Sequence, residues 1–293
     1  ANGFTLVFKA GPRVFPWMHT YLWSRDQAHE YSVTSALMAL EAWGHARLDA
    51  GEAVDAVIAD TLGPDGSCAA YLLVAVDLLI SHWPASREAL VPFISCPELL
   101  AIERGRGGRD QMGHQGGTLQ AEPSGRVRLE HLRARPSRRI PLESVLFSYS
   151  ENDEISKRAR SLLQRAVTAI GPYGESADFG DPAFMGAYAL NILDPSNWVS
   201  VDGAKTYCSP ASETEHLARL EAQRTGLIRS SETRAKIDLA ISDRARGSSE
   251  IGEEAVAYAA GDLPDDTDSD YLRSRSTRLI ATAMLVARDG DDA

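Results

Sequence analysis

Gly66-Ser-Cys-Ala-Ala-Tyr-Leu-Leu-Val-Ala-Val-Asp-Leu-Leu-Ile-Ser-His-Trp83 is the stretch whose reading decides the fold class. It follows a turn-forming Gly63-Pro64-Asp65-Gly66, with Ser67 placed as a helix N-cap, and stops at Pro84. Between those limits every helical face is apolar except at Asp77. A helix that is hydrophobic all round is buried in protein or in a membrane. The apolar run is shorter than the roughly 18 residues a membrane span needs, and it contains an acid. It is therefore expected at the centre of a protein core, with other helices around it. That expectation defines the fold class: all-α, as an irregular helical bundle or α-solenoid-like array of antiparallel helices.

Working outward, 293 residues with 44% hydrophobic and 24% charged content suit a globular chain with a large core. The net charge of −11 disfavours general binding to nucleic acid or anionic membrane. Cys68, Cys96 and Cys208 form no Cys-x-x-Cys pair and read as reduced thiols, which points to the cytoplasm. No basic start followed by a long apolar run marks a signal peptide, and the missing initiator Met is expected of a segment of a longer protein.

Residues 1–25 are aromatic-rich and punctuated by Pro12 and Pro16, so the expectation is an irregular segment laid across helices. Phe4–Phe8 suits a short strand and no more. A first helical subdomain covers residues 26–104: Gln27–Ala50, closed by Gly51, then Glu52–Leu62, the central helix, Ser86–Ile94 and a short turn at Pro97–Arg104. Turns of a few residues make these helices antiparallel neighbours. A second helical subdomain covers residues 146–293. Its helices are expected at Glu154–Ile170, Pro182–Leu193, Glu213–Arg229, Glu232–Arg246, Glu250–Ala260 and Asp270–Arg288, the last burying Leu272, Leu279, Ile280, Ala283, Met284 and Ala287. Asn152-Asp153 and Asp181 are placed to cap the first two, and Trp198 to Tyr207 reads as loop.

Between the subdomains, residues 105–145 read as a long Gly/Arg-rich loop or linker. Over residues 103–139, nine arginines (Arg104, Arg106, Arg109, Arg126, Arg128, Arg133, Arg135, Arg138 and Arg139) face four acids (Glu103, Asp110, Glu122 and Glu130), a net +5 that leaves −16 for the rest. These arginines are the candidate interaction residues for an acidic partner. The stretch has no Phe, Tyr or Trp to stack on bases, which weighs against nucleic acid.

Enzymatic signatures are thin. Gly108-Arg-Asp-Gln-Met-Gly113 has the two-glycine spacing of a phosphate-binding loop, but His114-Gln115 stands where Lys and Ser/Thr are required. None of the seven histidines forms a zinc-binding i, i+4 pair with a glutamate between, and Glu41–His45 reads as a surface pair. Ser67-Cys68 opens a helix, where the dipole lowers a thiol, but no partnering histidine is identifiable. Asp265-Asp266-Thr-Asp268-Ser-Asp270 comes closest to a divalent-ion site, and a magnesium-dependent all-α enzyme of terpene-synthase type is the alternative reading. Its motifs are incomplete: Asp265-Asp266-Thr-Asp268-Ser269 lacks the closing aspartate, and Arg160 replaces the closing glutamate after Asn152-Asp153. An acidic helix start explains the run more simply. Catalytic, metal and cofactor-binding residues are therefore left unassigned. Asp77 is the candidate buried polar residue, because a lone charge in an apolar helix needs a partner such as an arginine from a neighbouring helix.

Ser35-Ala-Leu-Met-Ala-Leu-Glu-Ala-Trp43, Leu62-Gly-Pro-Asp-Gly-Ser-Cys-Ala-Ala-Tyr71 and Val76-Asp-Leu-Leu-Ile-Ser-His-Trp83 resemble the helical part of large bacterial ATP-binding proteins of the STAND/NACHT-like class. Asp194-Pro-Ser-Asn-Trp198 and Ser209-Pro-Ala-Ser-Glu213-Thr-Glu-His-Leu217 fit the same resemblance, which covers about a third of the chain. It implies a helical sensor or assembly arm coupled to a nucleotide-binding module elsewhere in the polypeptide. None of that module's nucleotide-binding positions is present here. The expected function is non-catalytic, with a protein or another domain of the same polypeptide as partner, and no cofactor.

Overall fold

The computed structural model describes residues 3–16, 31–113 and 129–242, together with positions 280, 283, 284 and 287. It is mostly helical, with two small antiparallel sheets of two strands each. The chain divides into two compact units, residues 1–210 and residues 211–293.

In the first unit, β1 (Gly3–Phe8) pairs with β2 (Gly11–Pro16), then come α1 (Tyr31–Asp49), α2 (Val54–Leu62), α3 (Ala70–Ser81), α4 (Arg87–Ile94) and α5 (Pro97–Gly113). After the short α6 (Leu129–Arg133), 3-10 turns at Pro136–Arg138 and Leu142–Tyr149 lead to α7 (Glu154–Ile170) and α8 (Pro182–Leu193). A second hairpin, β3 (Trp198–Val201) and β4 (Ala204–Tyr207), ends the unit.

Helix α3 is central: every residue from Leu72 to Ile80 is buried, Asp77 included. Helices α1, α2 and α4 and both 3-10 turns pack on it. It starts later than the sequence suggests, at Ala70. Ser67 is not its cap, because its hydroxyl donates back to the Pro64 carbonyl at 2.6 Å within the preceding turn. Gly44 of α1 lies so close to α3 that a Cβ there would fall 2.5 Å from Leu78 Cδ1.

Two expectations are corrected. First, the mostly helical fold also contains strands. Residues 3–16 are a regular hairpin, because Pro12 and Pro16 sit at positions a two-stranded edge tolerates. Phe4, Leu6 and Phe15 of its inner face are fully buried, and Phe8 meets Phe93 of α4 edge-on at 6.1 Å. Arg13 fastens the hairpin by donating to the Gly63 and Pro64 carbonyls at 2.8 and 3.0 Å. The Trp198–Tyr207 stretch is also a hairpin rather than a loop, turned by Asp202 (φ 51°) and Gly203 (φ 80°).

Second, the Gly/Arg-rich stretch is not an irregular loop where it is described. Helix α5 continues through Gly105, Gly107 and Gly108 to Gly113, and residues 129–149 form α6 and the two 3-10 turns. Each glycine costs a helix about 1 kcal/mol, which burial of Leu99, Leu100 and Ala101 and the charge anchor at Arg106 offset.

The limits of α7 and α8 match their capping signals. Asp153 accepts from the Ser156 amide, and Asp181 from the Ala183 and Phe184 amides. In the second unit, α9 (Ala211–Ser242) is one continuous helix where two were expected. Ile280 and Met284, expected inside, are 60% and 53% exposed. The expected helix at Glu250–Ala260 and the Asp265–Asp270 run lie outside the described residues.

Candidate functional site

The residues with the strongest chemistry converge on Asp77. Its helix packs on three neighbouring helices and two 3-10 turns, so a carboxylate pointing off α3 has protein on every side, and arginines reach it from two directions. Arg106 of α5 donates through Nη2 to Asp77 Oδ1 at 3.1 Å and to Glu103 Oε2, one turn earlier on its own helix, at 2.7 Å. Arg138, in the 3-10 turn, donates through Nη1 to Asp77 Oδ2 at 2.8 Å and through Nη2 to Glu41 Oε2 at 2.7 Å. Burial alone would lower the Arg138 guanidinium, but the Asp77 and Glu41 carboxylates more than reverse this and hold it charged.

The chain of charges runs on toward solvent. Glu41, His45 and Asp49 recur every four residues on one face of α1. His45 Nε2 lies 3.6 Å from Glu41 Oε1, and His45 Nδ1 is hydrogen-bonded to Nε2 of His82, just past the end of α3, at 3.1 Å. His82 Nε2 is 3.7 Å from Asp49 Oδ1, and Arg135 grips both Asp49 oxygens at 3.2 and 2.6 Å. Glu103, Arg106, Asp77, Arg138, Glu41, His45, His82, Asp49 and Arg135 thus form one seam from the core to the surface. The Arg135 hydrogen bond holds Asp49 below its ordinary value, while burial and the neighbouring His45 push His82 below the ordinary histidine value.

Glu41 and His45 are each 1% exposed, so their reading as a surface pair is corrected. Their signal was in the sequence as a polar stripe, 41-45-49, beside the apolar positions Leu37, Leu40, Gly44 and Leu48. Arg106, 3% exposed, and Arg138 face inward and are not a surface for a partner. Arg104 sits over the Phe179 ring, 3.5 Å from its centroid, and pairs with Glu143. Arg133 is half-buried and Arg139 exposed. Arg109 lies on α5 with its side chain outside the described residues, as are Arg126 and Arg128 altogether.

No cluster of three or more histidine, cysteine or acidic side chains suited to a metal ion occurs among the described residues. Asp153, considered above for a divalent ion, is committed to capping α7 and to Arg87 at 2.5 Å. Cys96 is buried, which raises its thiol well above the ordinary range and makes it a poor nucleophile.

A second set of features lies on the surface. In the first hairpin, Thr5 pairs with Val14 and Val7 with Pro12 on the outer face, and Val7 and Val14 are 39% and 51% exposed. In the second, Val199 pairs with Thr206 and Val201 with Ala204, all four exposed. Both faces are free of charge. Comparison of the chain with family models, with curated proteins and with solved structures gives no match.

Proposed function

We propose that this chain is a non-catalytic helical interaction or regulatory region of a larger cytoplasmic bacterial protein, the sensor or arm part of a STAND-like ATP-driven assembly. The observation that carries this reading is the pair of hairpin faces. Four uncharged side chains on each, four of the eight being valines with open surface, are uncommon on a chain in which 24% of residues are charged, and such faces are where protein partners dock. No helix among the described residues is long and apolar enough to cross a membrane. With Arg106 and Arg138 committed to the interior, the arginine-rich stretch retains Arg139 as its exposed, described cation, and the hairpins replace it as the leading contact surface.

The test is photo-crosslinking in cells from probes placed at Val14 and at Val201, with a probe at the exposed Thr168 of α7 as control. One discrete adduct, lost when Val7 or Val199 is replaced by lysine, is the expected outcome. Labelling indistinguishable from that at Thr168 would sink the reading. The magnesium-dependent alternative predicts a rise in thermal stability on adding magnesium that Asp266→Ala and Asp270→Ala abolish.

A further inference from the structure

The seam around Asp77 contains a hydrogen bond that acid must break. His45 Nδ1 and His82 Nε2 are 3.1 Å apart, with ring centroids 5.3 Å apart. At that distance one nitrogen donates and the other accepts, so one of them carries no proton. The pair therefore holds one proton beyond neutrality with the bond intact, and a second sets N–H against N–H.

The charges around the pair frame the same limit. Facing it are Glu41 and Asp49 from α1, Asp77 from α3, Arg135 and Arg138 from the segment after α6, and Glu103 with Arg106 from α5 behind Asp77. Asp60 of α2 is committed to Arg47, while on α4 Arg87 is committed to Asp153 and Glu88 to Lys9. Within the seam, four carboxylates (Glu41, Asp49, Asp77, Glu103) against three guanidinium groups (Arg106, Arg135, Arg138) leave −1, which one proton on the histidines balances and two overshoot.

The second proton has one outlet nearby. Asp49, at 3.7 Å from His82, is the carboxylate through which Arg135 ties residues 129–139 to α1. We propose that the His45–His82 pair is an acid-operated latch: when both imidazoles are protonated, His82 turns to Asp49, displaces Arg135, and releases the strap of residues 129–139 from α1 and α3. The strap's other ties include Arg138 to Asp77 and Glu41, the Ser137 amide to Ser81 Oγ at 3.4 Å, and the buried Leu132. Release therefore opens the Arg135 end first. The depressed proton affinity of His82 sets the direction: the closed strap binds fewer protons than the open one, so acid favours opening.

Amide hydrogen exchange of the full chain reads this directly. The Ala134 and Arg135 amides donate to the Glu130 and Leu132 carbonyls, and those of Arg138, Arg139 and Ile140 to Arg135 and Pro136. After correction for intrinsic rates, their exchange is expected to rise about ten-fold between pH 7.5 and pH 5.5. The α7 amides are expected to stay flat. His82→Gln, which keeps a hydrogen-bonding group without a titration, holds the strap's rise under about two-fold. His45→Gln repeats that test should the first variant fold poorly. A flat wild-type profile, an equal rise in both glutamine variants, or an equal rise across α7 overturns the latch.

Discussion

The contact of α1 with α3 and the contact of α7 with α8 are both brought close by a glycine, Gly44 against Leu78 and Gly186 against Val167 and Pro97. Beyond that likeness they are built on opposite chemistry. The first carries Asp77, Glu41, His45 and the arginines that neutralise them, all beneath the surface. The second is apolar, with Ala159, Leu162 and Leu163 packed near Met185, Ala189 and Ile192, and its charges confined to the ends. There Asp153 and Asp181 cap, and Arg160 donates to the Leu193 carbonyl at 3.0 and 2.6 Å. Apolar contacts tolerate small shifts of one helix along another. Paired buried charges do not, since each must keep its partner. The α1–α3 seam therefore specifies one arrangement, and the α7–α8 seam supplies stability that does not depend on protonation.

The comparison is broken most severely at Asp77. Asp77→Ala leaves Arg106 and Arg138 without a carboxylate they share and is expected to cost about 3–5 kcal/mol in equilibrium denaturation. Next, each glycine is a test of the closeness the two seams share. A Cβ at Gly44 meets Leu78 at 2.5 Å, and one at Gly186 meets Val167 Cγ2 at 2.7 Å and Pro97 at 3.1 Å. Gly44→Ala and Gly186→Ala should each lose about 1–3 kcal/mol, and adding Val167→Ala to the second should restore part of the loss. Smaller again are the caps. Asp181→Ala, removing the acceptor for two α8 amides, should cost about 1 kcal/mol by the same measurement.

The gentlest test separates the seams by pH. His82 binds a proton less readily in the folded chain than its ordinary value of 6.5 allows, because burial and His45 oppose the charge. Below about that pH the unfolded chain takes up more protons, so stability is full above it and declines as pH falls. His82→Gln should flatten this slope in thermal melts, while Gly186→Ala lowers the curve and leaves its slope unchanged.

Legibility in the sequence follows the same division. Helices α7 and α8 were readable to the residue because local signals bound them: an aspartate before each, Gly171-Pro172 after one and Asp194-Pro195 after the other. Asp77 was readable as a residue in need of a partner, but Arg106 and Arg138 stand 29 and 61 residues away, in a stretch whose glycine and arginine content suggests a solvated loop. Composition there masked tertiary anchoring, which overrides glycine's weak helix propensity. The hairpins were obscured differently. Prolines at Pro12 and Pro16 argue against a central strand, and a two-stranded ribbon has none. The Glu41-His45-Asp49 stripe was visible in its spacing, and only the burial of Glu41 and His45 was not.

The turn between β3 and β4 has a consequence for recognition. Asp202 and Gly203 both take positive φ, the pattern of a tight hairpin turn whose twist matches that of its strands. Because that conformation suits an aspartate and a glycine locally, the Val199–Val201 face is held in one geometry by the chain itself, and under the proposed reading it is set before any partner arrives. An association through it forfeits little backbone freedom, and its tightness is governed by the partner's fit to four small side chains rather than by folding on contact.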